Sequence, residues 1–141
     1  PLVGRCLDEF SREMERHRIA PAVNVPDDLP AVRGDPLLLG QILRSLIANA
    51  IEAMRTDGQL AVRGEWLAGR GEVVLSVEDN GPGISPEQLQ RVGKPFYTTK
   101  ARGLGVGLAL ARRVIERFGG RLEITSQAGR GTVVRLHMQA A

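Results

Sequence analysis

Hydrophobic residues recur along this chain with two spacings, one typical of helices and one typical of strands. Apolar residues at helical spacing predict an amphipathic helix over residues 2–18. A stronger stripe begins after Asp35, an N-cap residue followed by proline, and predicts a long buried helix over 36–54. Another helix is predicted over 106–118, and the glycine pair after it is a typical C-cap.

Strands are predicted where apolar and polar residues alternate between turn residues. The predicted strands are, in chain order, 19–25, 59–63, 72–79, 121–126 and 132–138. Residues 66–71 are a predicted hairpin connection, and Ser85 begins a short helix. The first strand thus stands alone between two helices, and the other four occur as two adjacent pairs with helices between them. This order predicts an α+β fold, a two-layer sandwich of a mixed, mostly antiparallel sheet with helices on one face.

Composition narrows the class of protein. The 141 residues, with 43% hydrophobic and 25% charged, predict one globular domain over 1–141. There is no predicted transmembrane run or signal peptide, and a single cysteine, Cys6, suits a reducing, cytoplasmic compartment. The missing initiator Met suggests a fragment of a longer protein. A net charge of +3 with only three Phe, one Tyr and one Trp argues against nucleic-acid binding and suits a smaller anion.

Asn49 lies at the rim of the apolar stripe on the long helix, beside Ile42 and Ala53. An amide is unfavourable inside a helix and needs partners where it is covered. Two interpretations remain open from the residues themselves. The side chain bonds a neighbouring backbone group, or its oxygen is a ligand for a hard cation such as Mg²⁺.

Asp79 continues the apolar phase of its strand after Val73 and Val77, so its carboxylate is predicted to face the core. It is followed by a turn with glycines at Gly81 and Gly83. Either Asp79 makes an Asx turn, or it accepts a hydrogen bond from the amino group of a ligand. The second role would distinguish adenine from guanine, and the glycines would let backbone approach a flat ring.

A glycine run, Gly103, Gly105 and Gly107, leads into the 106–118 helix and matches neither a Walker loop nor a Rossmann turn. Backbone N–H groups of such a run, together with the start of a helix, can bind phosphate. The alternative is a flexible hinge. Cationic and hydroxyl side chains lie just upstream, at Lys94, Thr98, Thr99, Lys100 and Arg102.

Four motifs in this order resemble those of sensor histidine kinases. LIANAIEAM around Asn49 resembles the N box, and DNGPG at 79–83 resembles the first glycine box. KPFYTTK at 94–100 is similar to the F box, and GLGVGLALAR at 103–112 to the second glycine box. The pair Gly131 and Thr132, near the last strand, matches the GT that closes the pocket in this family. The resemblance covers nearly the whole chain and is greatest for kinases of the nitrogen- and oxygen-sensing type.

The resemblance implies the ATP-binding and catalytic domain with its Bergerat fold and a mobile ATP lid at 96–106. It implies that Asn49 holds Mg²⁺ against the phosphates of ATP and that Asp79 binds the adenine amino group. Thr132 would support the base through its hydroxyl or an ordered water, and Lys100 would act with Asn49 in catalysis. The other implied nucleotide contacts are Ala53, Gly81, Gly83, Ile84, Tyr97, Thr98, Thr99, Gly103, Leu104, Gly105, Val106, Gly107 and Leu108.

Two positions depart from the family pattern. Ser45 stands where members commonly carry Asn and where gyrase-like hydrolases carry the Glu that activates water, so efficient ATP hydrolysis is not expected. Glu52 stands where some kinases have a cation. Its role stays open between a contribution to the phosphate site and an ion pair with an arginine such as Arg55.

Neither His17 nor His137 lies in a phosphoacceptor context. The resemblance therefore implies transfer of the γ-phosphoryl group to a histidine on a dimerisation helix outside this fragment, within a two-component system that includes a response regulator. The whole protein is expected to be a homodimer, the isolated domain a monomer, and the domain the cytoplasmic part of a kinase that is membrane-anchored or soluble. Alternatives are a superfamily ATPase, an anti-sigma-type serine kinase, and a nucleotide sensor without catalysis.

Overall fold

The computed structural model describes residues 2–26, 28–54, 58–81, 104–127 and 130–141. The helices in this part of the chain are α1 (Leu2–Asp8), α2 (Ser11–Arg16), α3 (Pro36–Met54) and α4 (Leu104–Arg117). The strands are β1 (Ala20–Asn24), β2 (Gln59–Leu67), β3 (Glu72–Asp79), β4 (Arg121–Gln127) and β5 (Gly131–Gln139).

The strands form one five-stranded sheet in the order β1-β2-β3-β5-β4. Only β1 runs parallel to its neighbour β2, and the remaining neighbours pair antiparallel. The short connections 68–71 and 128–130 join β2 to β3 and β4 to β5, as expected for hairpins. The predicted mixed, mostly antiparallel sheet and the α+β class are confirmed.

The core lies between the sheet and α3, the predicted long helix. The Asp35 carboxylate accepts a hydrogen bond from the N–H of Leu37 at 2.8 Å, which caps the start of α3. Ile47 and Leu43 of α3 are 0% and 1% exposed. They pack in one cluster with β-strand residues such as Val62 and Leu136. Burial of each such side chain stabilises the fold by about 1.5–3 kcal/mol, so α3 anchors the helical layer.

The single helix predicted over 2–18 is wrong, because the chain forms two helices, α1 and α2, with a break between them. At the break the N–H of Phe10 bonds the Leu7 carbonyl at 3.0 Å, a tighter turn than an α-helix makes. Glu9 also binds Arg44 of α3 at 2.7 Å. Apolar periodicity continues through the break because α1 and α2 both bury their apolar side in the same core, α1 against α3 and α2 against β1.

Other boundaries differ by a few residues. Strand β2 extends to Leu67, beyond the predicted 63, and a 3-10 turn at Ala68–Arg70 completes the hairpin. Helix α4 begins at Leu104 rather than 106. Its predicted glycine C-cap is confirmed, since Gly119 has a φ of 83°. The short helix predicted from Ser85 lies outside the described residues.

Helix α3 is the described segment that meets the length and hydropathy of a membrane-crossing helix, although no such run was predicted. Half of its apolar window is buried inside the domain. Its apolar side contacts α1, α4, β2 and β3, so its hydrophobicity is explained by its place in the core.

Candidate functional site

A row of side chains crosses four neighbouring strands at one end of the sheet. Register pairs Leu60 of β2 with Asp79 of β3, Asp79 with Thr132 of β5, and Thr132 with Ser126 of β4. Residues paired in register point to the same face of a sheet. Asp79 is in phase with the core residue Val77, so this face is the one that the helices cover. The row therefore brings three polar side chains together next to the core.

Asp79 is a buried carboxyl, 9% exposed. Its Oδ1 accepts a hydrogen bond from the N–H of Gly81 at 2.9 Å, which is an Asx turn. Burial raises the pKa of Asp79, and the N–H groups of Gly81 and Thr132 partly oppose that rise by bonding the carboxylate. The turn proposed from the sequence is thus present. Two N–H donors do not saturate a carboxylate, which retains sites for a ligand's donor.

The end of β3 contacts the last turn of α3. A Cβ added at Gly81 would lie 3.1 Å from the carbonyl oxygen of Ala53, closer than nearly all real contacts of this kind. The Asn80 side chain points elsewhere, since its Oδ1 accepts from the N–H of Gln59 at 2.9 Å. Gly81 therefore brings the Asp79 turn against α3 at Ala53, one helical turn after Asn49.

Gly131 holds the β5 side of the row. Its φ is 128°, and an added Cβ would overlap the carbonyl oxygen of Asp79 and press on Cα of Asn80. A residue with a side chain is strained by both the backbone conformation and the lack of space. Glycine at this position lets β5 approach the end of β3 and places Thr132 beside Asp79.

Ser126 completes the row and was missed by sequence reasoning. Its hydroxyl donates to the carbonyl of Gly131 at 3.1 Å and lies 3.0 Å from the Thr132 hydroxyl. The available signal was strand alternation, because Ser126 follows Leu122 and Ile124 in the core phase of β4. A polar residue in that phase, one hairpin from Thr132, indicates a place in the site.

Asn49 carries a buried atom that needs a partner. Its Nδ2 is inaccessible to solvent and makes no hydrogen bond within the described part of the chain. A buried amide without a partner is costly, and such groups are typical of functional sites. The first interpretation, a bond from the Asn49 side chain to a neighbouring backbone group, is therefore not seen for Nδ2 in the described residues.

The Asn49 amide suits one edge of a Mg²⁺–phosphate site. Its oxygen is a hard donor, and its N–H groups can bind a phosphate oxygen. In the described ranges no three His, Cys, Asp or Glu side chains come together as a metal cluster. Mg²⁺ commonly takes one or two protein oxygens and completes its shell with waters and phosphates. The residues present fit that mode and not an all-protein cage.

The structure brings four predicted site residues together: Ala53, Asp79, Gly81 and Thr132. Asn49 lies one turn before Ala53 on α3. Leu104–Leu108 form the beginning of α4, where a helix leaves N–H groups unpaired. The predicted residues that lie outside the described ones are Gly83, Ile84, Tyr97, Thr98, Thr99, Lys100 and Gly103.

His137 lies on the opposite face of the sheet. It is 6% exposed, with Nε2 3.1 Å from Glu123 and Nδ1 3.3 Å from the Arg121 guanidinium and 3.7 Å from Glu72. The hydrogen bond from His137 lowers the pKa of Glu123. A buried ring whose two nitrogens already bond Glu123 and Arg121 is a poor phosphoryl acceptor, in agreement with its lack of a phosphoacceptor context.

Comparisons with known proteins agree with this geometry. A profile of the family described as histidine kinase-, DNA gyrase B-, and HSP90-like ATPase matches residues 34–141. Sensor histidine kinase ZraS of Escherichia coli strain K12 is 36% identical over 135 residues, which are 96% of this chain and 29% of that protein.

Two solved structures have the same fold. The catalytic domain of histidine kinase ThkA matches with a TM-score of 0.88 at 27% identity, over 99% of this chain and 90% of that chain. ThkA in complex with response regulator protein TrrA matches with a TM-score of 0.83 at 25% identity, over 99% and 40%.

Proposed function

The chain belongs to the family of histidine kinase-, DNA gyrase B- and HSP90-like ATPases, and from this premise we propose that it is the ATP-binding and catalytic domain of a sensor histidine kinase. In this proposal residues 1–141 form a single domain that binds ATP with Mg²⁺. Its γ-phosphoryl group passes to a histidine on a separate helical domain of the same protein.

One observation carries the proposal: a buried carboxylate and an amide whose buried nitrogen has no hydrogen-bond partner among the described residues occur on adjoining elements, joined by the contact between Gly81 and Ala53. Asp79 offers acceptors for the adenine amino group, and Thr132 lies beside it. Asn49, one turn before Ala53, would hold Mg²⁺ through its amide oxygen. Base and phosphate ends of one nucleotide would thus have separate, adjoining partners.

The chain's own residues would act mainly by positioning, since phosphoryl transfer needs alignment and charge neutralisation more than covalent help. Mg²⁺, when bound, neutralises charge on the phosphates. The unpaired N–H groups at the start of α4, within Leu104–Leu108, would bind phosphate oxygens together with Lys100 and the lid at 96–106. Asp79 would fix the base and so set the direction in which the phosphates extend.

The other partners follow from the same proposal. The chain spans 29% of the length of ZraS, so the phosphoacceptor histidine, the dimer contacts and the sensor are assigned to other parts of a longer protein. We place the domain on the cytoplasmic side, with a response regulator as the next phosphoryl acceptor. The nitrogen- and oxygen-sensing subtype, suggested by the FYTTK motif, stays a prediction.

The test uses γ-labelled ATP and Mg²⁺ with the isolated chain and with the longer protein that includes the preceding helical region. We expect acid-labile label on the longer protein only, and loss of about 100-fold or more with Asn49→Ala. Stable labelling of the isolated chain, or rapid phosphate release without a partner, would overturn the proposal in favour of self-phosphorylation or of an ATPase.

A further inference from the structure

We propose that Ser126 is a positioning residue that fixes the Thr132 hydroxyl as a hydrogen-bond acceptor and so contributes to the selection of an adenine ring. The inference rests on the proposed function, in which Asp79 and Thr132 form the base end of the nucleotide site. It adds a residue that neither the sequence motifs nor the family resemblance assigns.

The Ser126 hydroxyl makes hydrogen bonds with Gly131 and with Thr132, and the first bond determines the direction of the second. The Ser126 hydroxyl lies 3.1 Å from the Gly131 carbonyl oxygen and 3.0 Å from the Thr132 hydroxyl oxygen. A carbonyl oxygen only accepts, so the single Ser126 proton is donated to Gly131. Ser126 then accepts in its contact with Thr132, and the Thr132 proton is directed toward β4. Only lone pairs of Thr132 are left for any other partner.

The lone pairs of the Thr132 hydroxyl lie next to the Asp79 carboxylate. Thr132 stands between Ser126 and Asp79 in the row across β4, β5 and β3. Asp79 accepts from the N–H groups of Gly81 and Thr132, which are bonds to the ionised form of the carboxyl. Asp79 and Thr132 together therefore present acceptors and no donor at this end of the site.

Asp79 and Thr132, as acceptors only, can distinguish purines by the group at the 6-position. The 6-amino group of adenine is a donor, as is a water that bridges to the ring, and both match an acceptor-only surface. A purine with a 6-oxo group places an oxygen where adenine has its amino donor, so the acceptor that faces the 6-position loses its partner; the remaining donor on this edge, the N1–H, lies one ring position away. A Thr132 hydroxyl that could rotate would donate to the 6-oxo group and weaken this distinction. Ser126 prevents the rotation by taking the proton.

The carbonyl that accepts the Ser126 proton has a fixed position. Gly131, whose carbonyl holds the Ser126 proton, is fixed against Asp79 and Asn80 by lack of space for any side chain. The carbonyl is therefore held by the same contact that positions Thr132 next to Asp79. The β4–β5 hairpin determines both the place and the polarity of the Thr132 hydroxyl.

The experiment compares ATP with inosine triphosphate, which carries an oxygen in place of the 6-amine and a hydrogen on N1. Equilibrium dissociation constants are measured with Mg²⁺ for the wild type, Ser126→Ala and Ser126→Thr. We expect Ser126→Ala to lower the ratio of the two affinities by about tenfold. Ser126→Thr keeps the hydroxyl and should restore most of the ratio.

Thr125→Ala is the matched control. Thr125 is adjacent in sequence but points to the opposite face, where its hydroxyl accepts from Arg135 at 3.2 Å. Thr125→Ala should leave the ratio of the ATP and inosine triphosphate affinities as in the wild type. Both nucleotides are measured on the same preparation, so a loss of folded protein weakens both affinities equally and leaves their ratio unchanged. The ratio therefore reports hydroxyl polarity and not stability.

The outcomes separate the two proposals. A wild type that does not prefer ATP overturns the assignment of Asp79 and Thr132 to the base. A wild type that prefers ATP, with an unchanged ratio in Ser126→Ala, overturns the role of Ser126 and leaves the adenine site standing. If Ser126→Ala does not fold, Thr132→Val replaces it, and an unchanged ratio in that variant overturns the inference equally.

Discussion

Asp79 meets two opposing demands at the scale of a single residue. In its proposed role as an acceptor for a nucleotide it would be ionised, yet burial favours its neutral form and raises its pKa. The N–H groups of Gly81 and Thr132 offset part of that cost. The strand alternation ending at Asp79 predicted a core-facing carboxylate, and the structure confirms it. Strand alternation could place Ser126 on the core face of β4, but its contact with Thr132 could not be predicted, because cross-strand hydrogen bonds depend on register.

Asp79→Asn tests this cost through pH. A carboxyl with a raised folded-state pKa binds its proton more tightly when folded, so its contribution to stability falls as the pH rises from the ordinary 3.8 through the folded value. The free energy of unfolding of the variant, minus that of the wild type, should therefore increase with pH over this window and then level off. Urea unfolding at several pH values measures it. A flat or falling difference would contradict the burial effect.

Gly131→Ala tests the close approach of β5 to β3. The added Cβ overlaps the Asp79 carbonyl at a backbone φ of 128°, so we expect a loss of about 2–5 kcal/mol in the free energy of unfolding. Gly69→Ala is the control, since its Cβ would meet nothing within 4 Å, and should change stability by less than about 0.5 kcal/mol. Equal effects of the two substitutions in thermal or urea unfolding would refute the steric explanation.

At the scale of elements, α3 provides both the core and one side of the site. Its apolar stripe was predictable because the 3.6-residue period is uninterrupted from Leu39 to Met54. The break between α1 and α2 was not predictable, because the apolar period continues across it and contacts made there, such as Glu9 with Arg44, are tertiary. Helix and strand types were thus predictable, whereas ends that depend on other elements were not.

Substitutions on the two sides of α3 should differ sharply. Ile47→Ala leaves a cavity at a site that is 0% exposed and should cost about 2–5 kcal/mol. Leu37→Ala, at a residue 67% exposed on the same helix, should cost less than about 0.5 kcal/mol. Urea unfolding of both variants provides the comparison, and a large loss for Leu37→Ala would show that the outer side of α3 is also covered.

At the scale of the whole molecule, the sheet separates two kinds of polar group. The helix-covered face holds the row from Asp79 to Ser126, while the other face carries His137 with Glu72, Arg121 and Glu123 around it. The motif order along the chain predicted Asp79 and Thr132 as residues of one nucleotide site, and the structure pairs them in register. The motif order predicted no partner for His137, because its contacts depend on the pairing of β3, β4 and β5.

Equilibrium binding of ATP, measured by calorimetry with and without Mg²⁺, tests the central claim that Asp79 and Asn49 serve the base and metal ends of one nucleotide site. The wild type should bind one ATP per chain. Asp79→Ala should weaken binding by about 10- to 100-fold in both conditions, and Asn49→Ala should do so only with Mg²⁺ present. Failure of the wild type to bind ATP, or wild-type affinity in both variants, would contradict the account.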